Sequence, residues 1–236
     1  MQKEFINIAS HEIKTPVQSL LGYAEILNRY PQRIELVSKA LLRNAIRLQR
    51  LTNDILDVTK IESDTLNLHK EKFNLNELIS AIVDDFKNDL QMQAKDIKIF
   101  YEIKDNIILK SDKGRLTQVF SNILDNAIKF SKKKGGSIYI DAQLQQSSDS
   151  NDKNNLQQVL IRIKDDGEGI DKDILPRLFT KFAKKSESGL GLGLFISKNI
   201  IGAHGGKIWA ENNKDGTGSI FYIMMPIISE KESKHQ

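Results

Sequence analysis

Four short stretches hold side chains whose types and spacing could do chemistry. In NILDNAIKFS (Asn122–Ser131), Asn122 and Asn126 are four residues apart and Lys129 lies three further on. On a helix these fall near one face. Two amide oxygens beside a cation suit Mg2+ and phosphate, because Mg2+ takes oxygen ligands and keeps several waters. DDGEGI (Asp165–Ile170) follows an apolar run, and Gly167 and Gly169 permit a tight turn and close approach of a ligand to the backbone. A carboxylate there, Asp165 or Asp166, can accept from the amino group of adenine. That would favour ATP over GTP, whose base carries a carbonyl at the same position. In SGLGLGLFISKNI (Ser188–Ile200), Gly189, Gly191 and Gly193 precede a helical pattern and leave backbone N–H groups free for phosphate. The stretch lacks the Gly-Lys-Ser/Thr ending of a P-loop and the spacing of a dinucleotide fingerprint. Just upstream, Phe179 and Phe182 precede a lysine-bearing segment suited to a mobile lid over a nucleotide. The fourth stretch, SHEIKTPVQSLLGYAEIL (Ser10–Leu27), sets His11 and Glu12 four residues before Thr15 and Pro16. Taken singly, each stretch is also compatible with an ordinary amphipathic helix, an Asp-Gly turn or a surface histidine.

The elements that must position these groups fall into two halves. Phe5, Ile8 or Ala9, Ile13, Val17, Leu20, Ala24 and Leu27 recur by threes and fours and predict a first helix. A break at Asn28–Arg33 contains Pro31. Val37, Leu41, Asn44, Leu48, Leu51, Ile55 and Val58 then alternate fours and threes, the seam of a bundle. A lone hairpin leaves a wide apolar stripe uncovered, so pairing with a second copy into a four-helix bundle is expected. Beyond His69 the pattern changes. Strands are predicted at Lys70–Phe73, Ile97–Ile103, Ile107–Lys110, Ser137–Leu144, Leu156–Lys164, Lys207–Glu211 and Gly218–Met225. Helices begin after Asn74, with Glu77 completing a capping box, and after Asp112, and another ends at Gly205–Gly206. The segment QQSSDSNDKNN reads as a flexible hairpin loop. The expected class is α+β: an antiparallel helical hairpin, then a sandwich with helices on one face of a mixed sheet.

Bulk composition excludes several classes. With 236 residues, 39% hydrophobic and 28% charged, the chain suits a soluble globular protein. It has no cysteine, so neither a disulfide framework nor a thiolate site is available. No apolar run reaches the roughly 18–20 residues of a membrane span, and MQKEFINIAS lacks a signal-peptide core. The net charge of +4 comes from lysines interleaved with acids, not from the concentrated basic face of a nucleic-acid binder.

In order and context the three downstream stretches resemble the ATP-binding (Bergerat-type) domain shared by histidine kinases, type II topoisomerases, mismatch-repair ATPases and heat-shock chaperones. The resemblance runs from about Lys70 to Ile228, with GKIWAENNKDGTGSIFYIMMP as the closing strands and Gly216 and Gly218 in the last glycine box. It implies that Asn126, with Asn122, coordinates Mg2+, that Asp165 binds adenine, and that the glycine-rich lid wraps the triphosphate. Asp112, Arg115 and Gln118 fit the approach to the Asn helix. The first half decides among these relatives. FINIASHEIKTPVQSLLGYAEIL resembles the phosphoacceptor (HisKA) segment of sensor histidine kinases, and His11, Glu12, Thr15 and Pro16 match it residue by residue.

At about 100° per residue, His11 lies off the apolar stripe, with Thr15 one turn on along the same face. A phosphoryl acceptor must stand exposed, and its imidazole attacks only when neutral, so acid pH should slow the reaction. Glu12, read as exposed beside it, is placed to orient the ring or take its proton. Pro16 cannot donate to the Glu12 carbonyl, which should loosen the helix beside the histidine. The domains expected are 1–69 for dimerisation and phosphotransfer and 70–228 for ATP binding, with a disordered tail at 229–236. The resemblance implies autophosphorylation of His11 and transfer to an aspartate of a response-regulator receiver domain. It also implies a phosphatase activity toward that regulator through the Glu12-x-x-Thr15 pattern. Homodimerisation, no nucleic acid, no membrane contact and a cytoplasmic location complete the expectation. Because the chain starts just before His11, it reads as a fragment of a parent that is membrane-bound or cytoplasmic. Two rivals are an ATP-driven clamp, which would hydrolyse ATP without forming phosphohistidine, and a non-catalytic dimeric scaffold, which would bind no nucleotide.

Overall fold

The computed structural model describes residues 2–92, 94–132, 134–146, 157–183, 190–214 and 216–227, the side chains from residue 5 onward. Cα packing divides the chain into two compact units, Met1–Leu66 with Lys181–Ile196, and Asn67–Thr180 with Ser197–Gln236.

The first unit is built on two long helices, α1 (Gln2–Arg29) and α2 (Ile34–Glu62). Tyr30 precedes Pro31 and is pushed out of the helical region to φ −137°, ψ 71°, which ends α1. A 3-10 turn, Pro31–Arg33, then leads into α2. Ala9, Val37, Ala40, Leu51 and Val58 are buried, while Ile6, Leu21, Leu36, Leu42, Ile46 and Leu56 remain exposed. The seam of α2 also carries acids that its apolar spacing hides. Asp57 is buried, and burial pushes the Asp54 carboxyl up to about 6, against the pull of Arg50 and with help from Asp57. α1 runs unbroken through Pro16. The Thr15 hydroxyl donates to the His11 carbonyl at 3.2 Å and the Ser19 hydroxyl to the Thr15 carbonyl at 3.1 Å, supplying donors around the one the proline removes.

The second unit contains β1 (Glu71–Asn74), α3 (Leu75–Met92), β2 (Asp96–Ile103), β3 (Ile108–Ser111) and α4 (Lys113–Phe130). It continues with β4 (Lys134–Gln146), β5 (Gln157–Asp165), the C-terminal part of α5 (Gly193–Ala203), β6 (Lys207–Asn212) and β7 (Ser219–Pro226). Five strands form a mixed sheet in the order β2-β4-β5-β7-β6, in which only β2 and β4 run parallel. The short strands β1 and β3, which the sequence does not assign to a sheet, form an antiparallel pair of their own. One face of the large sheet is buried in strict alternation, through Ile138, Ile140 and Ala142 of β4, Val159, Ile161 and Ile163 of β5, and Phe221, Ile223 and Met225 of β7. Leu78, Ile79 and Ile82 of α3 and Leu116, Phe120, Ile123 and Leu124 of α4 complete that core. The opposite face carries the stacked ring pairs Phe100–Tyr139 and Trp209–Tyr222.

The Asn74 side chain accepts from Asn76 N–H at 2.8 Å, so it caps α3 as its residue type implies. Of the expected loop QQSSDSNDKNN, Gln145 and Gln146 are the last residues of β4, while residues 147–155 and the tail at 229–236 lie outside the described residues. Among the described residues no helix is long and apolar enough to cross a membrane.

Candidate functional site

Asp165 is the last residue of β5, and strand parity puts it on the buried face with Ile161 and Ile163. The residue is 3% exposed, and its carboxylate is held by three donors. Oδ1 accepts from Gly167 N–H at 2.9 Å and from Ser219 N–H at 3.3 Å, and Oδ2 accepts from the Ser219 hydroxyl at 2.6 Å. A carboxylate offers about four lone-pair sites, so among the described residues one on Oδ2 stays uncommitted. Asp166 is used differently. Ser131 and Ser137 hydroxyls donate to its two oxygens at 2.7 and 3.1 Å, tying the turn to the end of α4 and the start of β4. Burial raises the Asp166 carboxyl, but these bonds outweigh it and hold the group below the usual carboxylate range. The Ser137 and Lys132 backbone N–H groups also bond Asp166, which brings its hydrogen bonds to four, so of the two acids left open by the sequence Asp165 is the one with a free acceptor.

The turn after Asp165 is glycine-dependent for reasons of space. A Cβ on Gly167 would stand 2.1 Å from the Phe130 carbonyl oxygen, so the turn and the C-terminus of α4 meet backbone to backbone. Gly169 has φ +76°, the left-handed region.

α4 begins at Asp112, whose Oδ1 accepts from Arg115 N–H at 2.9 Å, while Oδ2 accepts from His69 N–H at the same distance. Burial pushes this carboxyl up, but the two N–H groups and the Arg115 charge keep it below its ordinary value. Arg115 also donates to Gln118 at 2.9 Å. One turn further along, Asn122 Nδ2 donates to the Ser197 hydroxyl of α5 at 3.0 Å, which leaves Oδ1 as that side chain's acceptor. Asn126 is half-buried, and Lys129 is exposed with its ammonium 5.2 Å from the Phe130 ring. Among the described residues no cluster of three His, Cys, Asp or Glu side chains could hold a metal. The donors available to a cation are the amide oxygens of α4, which suit a hard ion that retains water.

His204 contributes to the same helix end. It is buried; its Nε2 accepts from Asp112 N–H at 3.1 Å, and its Nδ1 bonds the Ile200 carbonyl at 2.8 Å. Since Nε2 accepts, Nδ1 carries the proton and the ring is neutral. Burial foremost, and the Lys70 charge, lower its pKa from the ordinary 6.5, against the Ile200 bond and the Asp112 charge. The unfolded chain therefore binds a proton at a pH where the folded one does not. Stability should be full above about pH 6.5 and fall as the pH drops below it. Replacing His204 by Ala should flatten that dependence in denaturation followed by Trp209 fluorescence. It should also cost roughly 1–3 kcal/mol at pH 7.5, because Asp112 N–H is left without an acceptor.

In the first unit, Phe182 has φ +64°, its N–H donates to the Gly191 carbonyl at 3.1 Å, and its ring lies 6.0 Å from that of Phe5. Gly191 has φ +67° and would place a Cβ 3.0 Å from the Phe182 backbone. Gly193 opens α5, and Gly189 lies outside the described residues.

His11 is exposed on α1, with Thr15 exposed one turn on. Glu12 departs from the sequence expectation. It is 8% exposed rather than open, because Arg47 of α2 covers it, Nη2 to Oε2 at 3.1 Å. Arg47, Ser197, Ser219, Asn212 and Asn213 all touch candidate residues and were not singled out from the sequence. Ser219 alone had a signal, the buried parity it shares with Phe221 and Ile223.

Residues 111–228 match the family model described as histidine kinase-, DNA gyrase B- and HSP90-like ATPase, and residues 1–64 match the His Kinase A (phospho-acceptor) domain. The sensor protein kinase WalK of Staphylococcus aureus is 32% identical over 236 residues, covering 95% of this chain and 54% of that relative. The chain thus spans about half the length of that relative, and 36% of the longer WalK sequences it matches. Among solved structures, the Acinetobacter baumannii histidine kinase AdeS superposes with a TM-score of 0.69 at 25% identity, covering 93% of this chain and 98% of that one. Histidine kinase ThkA, solved in complex with the response regulator protein TrrA, gives 0.67 at 25% identity, covering 97% of this chain and 62% of that one. With both family models matched in the order that its two kinds of element follow, the chain belongs to the sensor histidine kinases, a phosphoacceptor hairpin joined to an ATPase-type sandwich.

Proposed function

We propose that this chain is the catalytic core of a sensor histidine kinase that phosphorylates His11 from ATP and passes the phosphoryl group to an aspartate of a response regulator. The observation that carries the reading is Asp165: a buried carboxylate, pinned by Gly167 and Ser219, with one acceptor site left for an adenine amino group. Gly167 and Gly169 let the turn run close to the base. Asn122, Asn126 and Lys129 face the phosphates from α4, and Phe182, Gly189, Gly191 and Gly193 form the lid segment. Asn126 and Asn122 would hold a Mg2+ ion through their amide oxygens, and the ion would neutralise phosphate charge. The unprotonated nitrogen of His11 attacks the γ-phosphorus roughly in line. The bond from that phosphorus to the β–γ bridging oxygen breaks, and ADP leaves. The proton on the other ring nitrogen passes to Glu12, which is ion-paired with Arg47. Thr15, on the face of His11, serves with Glu12 in hydrolysis of the regulator's phosphoaspartate.

The division into 1–69 and 70–228 is supported by the phosphoacceptor match to residues 1–64 and the ATPase match to residues 111–228, although Cα packing groups Lys181–Ile196 with the hairpin. The exposed apolar residues of α1 and α2 support a homodimer through the hairpin. ATP supply and a receiver-domain partner put the reaction in the cytoplasm.

Incubation of the chain with γ-labelled ATP and Mg2+ tests this directly. A protein-bound label that is lost in acid and kept in base is the expected result. ATP hydrolysis with no bound label would make the chain a clamp instead, and no nucleotide binding at all would make it a scaffold.

A further inference from the structure

The end of β6 carries two consecutive asparagines, Asn212 and Asn213, whose side chains both reach the turn that follows β5. Asn212 makes a two-point contact with Ile170, just beyond that turn. Its Oδ1 accepts from Ile170 N–H at 2.6 Å and its Nδ2 donates to the Ile170 carbonyl at 2.7 Å. The amide thus supplies one rung of a sheet ladder to a segment that has left the sheet. It also lies over Gly169, where an added Cβ would stand 3.0 Å from Asn212 Oδ1. Asn213 holds the other end. Its Nδ2 donates to the Asp165 carbonyl at 3.0 Å and, by a second bond, to the Thr217 carbonyl in the β6–β7 turn. One dipeptide therefore grips the first residue of the turn and the residue after its last glycine.

Asn213 bears a cost for this. The residue is 6% exposed, and its Oδ1 is buried with no hydrogen-bond partner among the described residues. Exchanging the amide's oxygen and nitrogen gives no relief, because both partners of Nδ2 are carbonyl oxygens. A buried acceptor left unmade disfavours folding. Its retention points to a requirement for two donors at this place. The gripped residue is Asp165, whose carboxylate needs a fixed direction to meet an adenine amino group, since such bonds weaken steeply with misalignment.

We propose that Asn212 and Asn213 are positioning residues for base recognition, a clamp that fixes the Asp165–Ile170 turn so that the Asp165 carboxylate presents its free acceptor to adenine. The proposal rests on the ATP reading above. Neither asparagine need touch the nucleotide; each acts through the backbone of the turn.

The test uses the full chain and its initial rates of self-phosphorylation with ATP, and with GTP as the wrong-base probe. Asn213→Ala removes both donors and should raise the KM for ATP about tenfold, with the rate at saturating ATP within about twofold of wild type. The preference for ATP over GTP should fall by a similar factor. Asn213→Asp keeps the shape, replaces the donor by a charge facing two carbonyls, and should be at least as damaging. Asn212→Ala, at an exposed position where folding is not at risk, should raise KM about threefold. Loss of thermal stability with an unchanged KM and base preference would reduce both residues to structural ties and overturn the proposal. So would a fall in the saturated rate at constant KM. A wild-type chain that takes label from neither nucleotide would instead bring down the kinase reading, and the clamp with it.

Discussion

Exchange of His11 for glutamine should reduce the acid-labile label to background while leaving ATP affinity within about twofold of wild type. Glutamine is a good helix former of similar polarity, so α1 should persist. His11 is exposed, and no described side-chain bond depends on its ring; only its backbone carbonyl is used, by the Thr15 hydroxyl. The substitution therefore removes the proposed nucleophile and little else. The neighbouring variants should separate the roles. Glu12 is covered by Arg47 at 3.1 Å, and removing the carboxylate leaves the Arg47 charge, itself partly exposed, without its partner. Among the described residues Thr15 bonds only its own helix. A His11→Gln protein that still carried an acid-labile, base-stable label would place the acceptor at another histidine. His204 is an unsuitable substitute, because its ring is buried and engaged at both nitrogens.

How far the sequence could reach is decided by range. The seam of α2 and the alternation in β4, β5 and β7 are local periodicities, and the buried positions follow them: Val37, Leu51 and Val58 in the first unit, Ile161, Ile163, Phe221 and Ile223 in the second. The choice between Asp165 and Asp166 was also local, although easily passed over. Counting by twos from Val159 through Ile163 puts Asp165 on the core side and Asp166 off it. By contrast, the pairing of Glu12 with Arg47 spans 35 residues and depends on the register of the hairpin, which no spacing rule gives. The asparagine clamp is hidden for another reason. Asn212 and Asn213 read as turn residues between two strands, which is also true of them, and their partners Ile170 and Asp165 lie 42 and 48 residues away. Pro16 is a third case. Its type implies that the Glu12 carbonyl loses a donor, but not that α1 continues through it, with the Thr15 and Ser19 hydroxyls bonding the His11 and Thr15 carbonyls on either side of that of Glu12.

Gly218→Ala should be the most damaging glycine-to-alanine change among the described glycines. Two effects add, and a control separates them. Gly218 has φ +73°, a conformation that costs an L-residue roughly 1–2 kcal/mol. Its Cβ would also stand 2.0 Å from the Asp165 carbonyl oxygen, 2.7 Å from the Asp165 carbonyl carbon and 2.9 Å from the Asp166 Cα. All three are backbone atoms, and none can rotate away. Either β7 or the end of β5 must move, and the residue between them is Ser219, whose N–H and hydroxyl hold the Asp165 carboxylate. Gly216, two residues earlier, has φ +79° with nothing within 4 Å of its would-be Cβ. Gly216→Ala should therefore lose only the conformational part, about 1 kcal/mol, and keep ATP affinity. Gly218→Ala should lose several kcal/mol beyond that, in line with forced overpacking of a close backbone approach, and weaken ATP by about a hundredfold or more. Thermal denaturation and ATP titration on the two variants side by side check both halves. Equal losses in the pair would mean that the start of β7 yields freely, and that Ser219 does not fix the carboxylate proposed to bind adenine.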